Sequence, residues 1–545
     1  MLVLGLPYQS VSYQGFYAQD TWQLNSKLTL TLGLRWEIPG VFKERYDRTT
    51  SLNPVGENPA TKGILVNGRP VVGRLDRVNT PEHPGRGNKE ETYRLFAPRV
   101  GFAYRFSPKT VLRAGAGIYF LPSNLQFNEG PYGNALNAYS TPWLTSIDRS
   151  VTPLNTLSDP FPGGITPSLG TLPNFQQLLL GQSPAAALRG SPRPYQGQWN
   201  IALQDQLPGN IAVEVAYAAS RGVHLPRGDY NMNAIEDQFL SMGNQLNSQV
   251  QNPFFGLVAV GPLSQRTVTQ GQLLLRYPQY TGFVQRTAYL GNSTYHSLQM
   301  KVERRFGAGG NVLAAYTFSK LLTDMESLSE WLNTNVGSGG GVQQPNNLRA
   351  EKSLAGFDSR SRLTVAYSVD LPFGAGKRLL GNVRGPASLL VSGWSASGTS
   401  TFQSGFPLAL NATPNITGLG TGLRPNVVPG CQKEIEGSAQ SKLRRWFNTD
   451  CFTVPNAYTF GNQSRTDPNL RGHGIAQYNF SLLKKTNITE SANVEFRAEI
   501  FNLFNRVQFG QPNLSVTTAA NATTGQVFTQ VNTPRLVQLA LRFSF

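Results

Sequence analysis

The residues most able to do chemistry in this chain are its four histidines, its Glu/Arg pairs and its two cysteines. His83, His224, His296 and His473 lie far apart, and none stands in a Ser or Cys context that forms a nucleophile elbow or a metal motif. Glu303, Glu495 and Glu499 lie beside Arg305 and Arg497 at alternate positions of two extended stretches. Paired carboxylates can exchange protons, but the same spacing is that of a charge ladder on the wet face of a strand. The ladder is the preferred reading, so no catalytic residue, cofactor or metal ligand is assigned and the protein is not expected to be an enzyme. Gly337–Gly341 (GSGGG) lacks the Lys-Ser/Thr of a phosphate loop and reads as a flexible loop tip. Cys431 and Cys451 are 20 residues apart with no His nearby, which argues against zinc. In an exported protein a disulfide within one loop is the favoured reading.

What positions these residues is a series of strands, legible first at the C-terminus. Along Arg535–Phe545 (RLVQLALRFSF) side chains alternate with a period of two. Val537, Leu539, Leu541, Phe543 and Phe545 share one face; Gln538, Ala540, Arg542 and Ser544 share the other. Lipid against the first face and a wet lumen against the second would suit this pattern. Earlier, Phe16, Ala18, Trp22 and Leu24 alternate up to an Asn25-Ser26-Lys27 turn, after which Leu28, Leu30, Leu32, Leu34 and Trp36 alternate again. Further pairs are expected at 96–106 with 111–120, 199–207 with 211–220, 295–306 with 312–320, 362–371 with 393–403, and 475–485 with 494–503.

That is about 13 strands in which short links alternate strictly with connections of about 35 to 75 residues, lengths suspect inside a compact soluble domain. Transmembrane barrels have this beat: short periplasmic turns and long extracellular loops. The fold class expected is therefore all-β, an antiparallel transmembrane β-barrel with long extracellular loops. An odd number of strands cannot close an all-antiparallel barrel, and large plugged barrels have about 22 strands. Residues 1–545 are thus expected to be the C-terminal part of such a barrel, unable to close alone. The start MLVLGLPYQS has no basic n-region or cleavage site, which fits the same expectation. Within the loops, residues 229–251 are expected to carry a helix with Ile235, Phe239, Met242 and Leu246 on one face. Tyr139, Trp143 and Trp331 are loop aromatics compatible with glycans, peptides or siderophores.

Composition agrees with this reading. Mean hydropathy is −0.27 and no run of about 20 apolar residues occurs, as expected when only alternate strand residues meet lipid. The net charge of +17 comes from scattered Lys and Arg with no run longer than two, so an anion-tolerant lumen is favoured over nucleic-acid binding.

Several stretches resemble TonB-dependent outer-membrane receptors, specifically the Oar-like group that carries a carboxypeptidase-regulatory-like domain. These are Gly15–Glu37 (GFYAQDTWQLNSKLTLTLGLRWE), Val213–Leu225 (VEVAYAASRGVHL), Asn252–Gly256 (NPFFG), Leu273–Gly282 (LLLRYPQYTG) and Tyr295–Lys320 (YHSLQMKVERRF, then AAYTFSK). The most specific are Gly393–Pro407 (GWSASGTSTFQSGFP) and Phe496–Asn513 (FRAEIFNLFNRVQFGQPN). The resemblance implies uptake of a large ligand across the outer membrane, with ligand capture by the loops and a plug. It also implies contacts with lipid and lipopolysaccharide, and a C-terminal signal (Val537, Leu539, Leu541, Phe543, Phe545) for the barrel-assembly machinery. The export signal, regulatory-like domain, TonB-contacting box and plug of the family have no counterpart in these residues, so engagement of TonB would need segments beyond them. A barrel that only displays loops for adhesion, and a soluble carbohydrate-binding β-protein, are the alternatives.

Overall fold

A computed structural model describes every residue except 1, 5–7, 122–137, 141–155, 162–164, 166–171, 259–260, 307–308, 326–341, 414–421 and 520–521. Trp143, Trp331 and Gly337–Gly341 lie outside the described residues. Thirteen strands form one antiparallel meander: β1 (Tyr13–Gln23), β2 (Leu28–Pro39), β3 (Leu95–Arg105), β4 (Thr110–Phe120), β5 (Tyr195–Leu207), β6 (Ile211–Arg227) and β7 (Ala288–Arg305), continuing with β8 (Gly310–Thr323), β9 (Ser361–Asp370), β10 (Trp394–Gln403), β11 (Ile475–Asn487), β12 (Asn493–Phe501) and β13 (Leu536–Ser544). Each pairs with its sequence neighbour, and Ser353–Leu354 adds a short fourteenth strand beside the tip of β8. The sheet is open: β1 and β13 are its two ends, and because 13 is odd they run in the same direction.

Local chemistry explains the tight turns. Asn25 Oδ1 accepts hydrogen bonds from the amides of Lys27 (2.8 Å) and Leu28 (2.9 Å), closing the β1–β2 turn. Ser107 Oγ does the same for Lys109 and Thr110. Between β5 and β6, Gly209 (φ 81°) and Asn210 (φ 56°) supply the left-handed residues that a tight hairpin needs.

The register carries one parity around the whole sheet. Starting from Leu539, the cross-strand row runs through Ala498 and Leu482 to Ala396, Val369 and Gly310. The row through Met300 joins Val215 to Tyr316, and the row through Leu32 joins Asp20 to Val100. Most residues on this outward face are apolar. The opposite face carries Gln, Asn, Ser and Thr with Arg35, Glu214, Glu303 and Arg497 among them.

Aromatic rings collect at both margins of the outward face. Near the long loops, Trp36 lies between Phe16 (5.6 Å) and Phe96 (5.8 Å), and His296 lies against Tyr217 and Trp199. At the short-turn margin Trp394 accepts Lys484 over its ring (5.5 Å), and Phe543 meets Phe545. Such paired girdles mark the two interfaces of a membrane barrel.

Above the sheet the long loops fold together. A five-stranded sheet draws Thr50–Glu57 and Val72–Arg77 from one loop, Ala185–Leu188 from the next, and Tyr230–Asn231 and Val284–Gln285 from a third. Its core contains Leu52, Leu75, Phe254, Leu263, Tyr277, Tyr280 and Phe283. A second core, around Leu408, Leu410, Trp446, Phe447 and Phe452, includes Cys451.

The helix expected within 229–251 is corrected by the structure. Asp237–Asn247 forms tight 3₁₀ turns broken at Gly243 (φ 55°, ψ −128°); Ile235, Leu240 and Leu246 are buried, and Phe239 and Met242 pack against them. Asp237, Ser241, Asn244 and Asn247 are weak helix formers, and Gly243 with its positive φ prevents a continuous helix.

Candidate functional site

The face opposite the apolar one is the polar wall of the sheet. Charges there are paired along the strands. Arg35 bonds Glu37 (2.8 Å) and donates to the Tyr13 hydroxyl (3.0 Å). Glu303 lies between Arg305 (3.0 Å) and Lys301 (3.6 Å), and Arg497 between Glu495 (2.7 Å) and Glu499 (3.8 Å). The three glutamates therefore each sit against a cation, as a charge ladder requires.

A recess of about 490 Å³ opens on this face where β1 to β7 lie side by side. Gly101, Gly115 and Gly117 form its floor, with Gln19, Asn200 and Tyr295 around it. At Gly117 a Cβ would come within 3.1 Å of Arg99 and 3.3 Å of Tyr119, so glycine is what lets the Arg99 guanidinium settle 4.6 Å from the Tyr119 ring. A smaller recess of about 320 Å³ is lined by Asn311, Ser397, Thr399, Asn479 and Glu499. Amides, hydroxyls and a stacked guanidinium can hold a large polar ligand by many weak contacts. Among the described residues no group of three or more His, Cys, Asp or Glu could hold a metal ion.

The histidines are dispersed. His83 is buried in the loop body, and burial followed by the charge of Arg189 lowers its pKa. His473 lies between Trp446 and Phe509, its pKa also lowered first by burial. His224 adopts φ 55° where the β6–β7 register shifts between Gly222 and Leu225, so its place is a strand bulge. His296 is exposed on the outward face and bonds Tyr217 through Nδ1 (2.7 Å).

The long loops are held by buried polar groups. Asn233 donates to the carbonyls of Tyr277 (3.0 Å) and Tyr280 (2.9 Å) and accepts from the Tyr277 amide (2.8 Å). Asn58 donates to the Tyr280 hydroxyl (2.7 Å), and Tyr280 stacks on Phe283 at 5.5 Å. Residues 273–282 thus form the heart of the first loop body. Burial pushes the Glu44 carboxyl up, but hydrogen bonds from Arg48, Tyr8 and Tyr46 outweigh it and hold the pKa at about 2. Asp467 is likewise lowered against its burial, by Lys433 (2.5 Å) and by Gln463, Leu470 and Asn469. Cys431 and Cys451 are joined, with Cα atoms 5.4 Å apart. Tyr139 lies in Ala138–Ser140, which pairs with Leu2–Leu4.

An antiparallel meander with one apolar and one polar face, aromatic margins, and short turns alternating with long loops defines an outer-membrane β-barrel wall. The chain belongs to the outer membrane beta barrel domain family, whose model matches residues 4–538. Its location is the outer membrane of Gram-negative-type cells. No curated protein matches the sequence.

Three solved structures illustrate what the chain is similar to. The ferripyoverdine receptor of the outer membrane of Pseudomonas aeruginosa has 9% identity and TM-score 0.38, over 99% of this chain and 39% of that one. The outer membrane transporter YddB from Escherichia coli has 8% identity and TM-score 0.40, over 98% and 54%. The ferric yersiniabactin uptake receptor FyuA from Yersinia pestis has 10% identity and TM-score 0.40, over 99% and 46%. The chain thus spans roughly two-fifths to a half of their length. Family membership rests on the domain match alone.

Proposed function

We propose that this chain is the C-terminal barrel portion of a TonB-dependent receptor of the Oar-like group, taking up a large ligand across the outer membrane. The carrying observation is the loop body over a polar sheet face: strands from three separate loops share one sheet and core above recesses lined by amides, hydroxyls and an Arg99–Tyr119 stack. Closing the wall needs further strands, because β1 and β13 run in the same direction and cannot complete an antiparallel ladder. In this reading the plug and TonB box lie in segments outside these residues. The outward C-terminal residues Val537, Leu539, Leu541, Phe543 and Phe545 present the signal read by the barrel-assembly machinery, and the Cys431–Cys451 bridge braces an extracellular loop.

The test is cross-linking of the full-length gene product, in the outer membrane, to the periplasmic domain of TonB. The expected result is a cross-link that disappears when the coding segment upstream of Met1 is deleted. A full-length product with no plug and no cross-link would overturn the transport reading and favour surface display.

A further inference from the structure

Away from the recesses, one exposed guanidinium is held ready without a counter-ion. Just beyond β2, Gln9–Ser10 pairs with Lys43–Glu44, and the chain from Glu44 to Arg48 folds into a knot. The wholly buried Glu44 carboxylate accepts the amides of Tyr8 (3.2 Å), Tyr46 (2.8 Å) and Arg48 (3.0 Å), and the Arg48 guanidinium (2.8 Å). The Arg45 backbone is pinned on both sides: its amide donates to the Tyr8 carbonyl (2.8 Å), and its carbonyl accepts from Arg86 (3.1 Å). On this rigid base the Arg45 guanidinium lies 5.9 Å from the Tyr8 ring and 5.7 Å from the Tyr46 ring.

The neighbouring cations are already paired: Lys43 with Glu91 (2.6 Å), Arg48 with Glu44 (2.8 Å) and Arg86 with Asp47 (2.6 Å). Arg45 is exposed and, among the described residues, makes no ion pair and no side-chain hydrogen bond. A guanidinium stacked on aromatic rings keeps its edge N–H groups free, and that edge fits one carboxylate bidentately. A doubly charged phosphate would find no second unpaired cation in the knot. Both rings lie open to water, Tyr8 70% and Tyr46 63% exposed. Open rings of this kind suit a ligand with an apolar face and a hydrated rim, as a pyranose has. A hydrophobic side chain would instead need a pocket that takes it out of water.

We propose that Tyr8, Arg45 and Tyr46 form a binding site for an acidic saccharide. A uronic-acid carboxylate sits on Arg45, and the sugar rings lie against the two tyrosines. The same pairing recurs on the inner wall, where Arg99 is 4.6 Å from the Tyr119 ring. A saccharide chain captured outside would meet like chemistry in the recess. That link alone rests on the uptake reading; the outer site rests on its own geometry.

The test is isothermal titration calorimetry on the full-length protein, purified from outer membranes in detergent. The probes are a linear hexasaccharide of uronic acid, its carboxyl-reduced neutral form, and a hexaglutamate peptide. The uronate should bind, and the neutral sugar and the peptide should each bind at least about tenfold more weakly. Arg45→Gln and the pair Tyr8→Ala/Tyr46→Ala should each weaken uronate binding at least about tenfold. Arg378→Gln, which removes an exposed cation from the connection between β9 and β10, should leave it unchanged. No uronate binding, equal binding of the neutral sugar or the peptide, unchanged binding by Arg45→Gln, or an equal loss in Arg378→Gln would each overturn the proposal. The Arg45 side chain takes no part in the Glu44 network, so Arg45→Gln decides even if the tyrosine variant fails to fold. Binding is read without TonB, so its absence counts against this site alone. A protein that binds the uronate but never cross-links to TonB counts against the uptake reading alone.

Discussion

Replacing Met300 with Arg should destabilise the folded barrel by about 2–4 kcal/mol, whereas replacing its neighbour Gln299 with Arg should cost less than about 1 kcal/mol. Met300 lies on β7 with outward neighbours Val215 on β6 and Tyr316 on β8. It is four residues from His296, in the aromatic margin under the loops, and four from Arg304, near the short turns. At roughly 2.5 Å of height per residue it therefore sits about 10 Å from either margin, close to the bilayer midplane. An arginine there must leave water or deform the bilayer, but at Gln299 it faces the polar lumen beside Ala216 and Thr317. The assay is urea-dependent unfolding of the full-length protein in phospholipid vesicles, followed by heat-modifiable mobility. A cost at position 299 equal to or greater than that at 300 would refute the assigned faces.

Acid should loosen the loop body. A carboxyl held below its unfolded value stabilises fully above that value and loses the contribution as pH falls through the folded one. For Glu44 the window runs from 4.5 down to about 2, corresponding to about 3 kcal/mol, with Asp467 acting in the same direction. The protection of amides in residues 40–58, taken relative to their intrinsic exchange at each pH, should fall across that window, and flat protection from pH 6 to 2.5 would contradict the assignment. Unreduced peptide mapping of exported protein should recover Cys431 linked to Cys451, and Cys431→Ser should cost roughly 3 kcal/mol in the chain-entropy model; two free thiols would end that reading. Residues 1–545 expressed alone should give no heat-modifiable, protease-resistant barrel, because both end strands leave unpaired backbone in lipid. A compact inserted monomer would show that the wall closes without further strands.

The strands were legible wherever one face is apolar and the other wet, since the period of two survives there. Their upper ends were not. β6 continues past Ser220 to Arg227, and β7 begins at Ala288 rather than Tyr295. Above the membrane both faces of these strands are polar or loop-covered, so alternation disappears although pairing continues. The bulge around His224 also shifts the register and scrambles the pattern. The strand pairing of the loop body left no local signal. Ala185–Leu188 pairs in parallel with residues of Thr50–Glu57, and such pairing between distant short segments is not encoded in any one window. The sequence 273–282 stood out as a motif, but its place in a core with Asn58 and Asn233 is a property of the assembled loops.

The account depends most on one face of the sheet meeting lipid and the other meeting water. Spin labels placed singly at each position from 296 to 304 on β7, in full-length protein in the outer membrane, measure this directly. Oxygen accessibility should be high at 296, 298, 300, 302 and 304, peaking at 300, while water-soluble relaxants reach 297, 299, 301 and 303. Reversed parity, or water access at every position, would contradict the account.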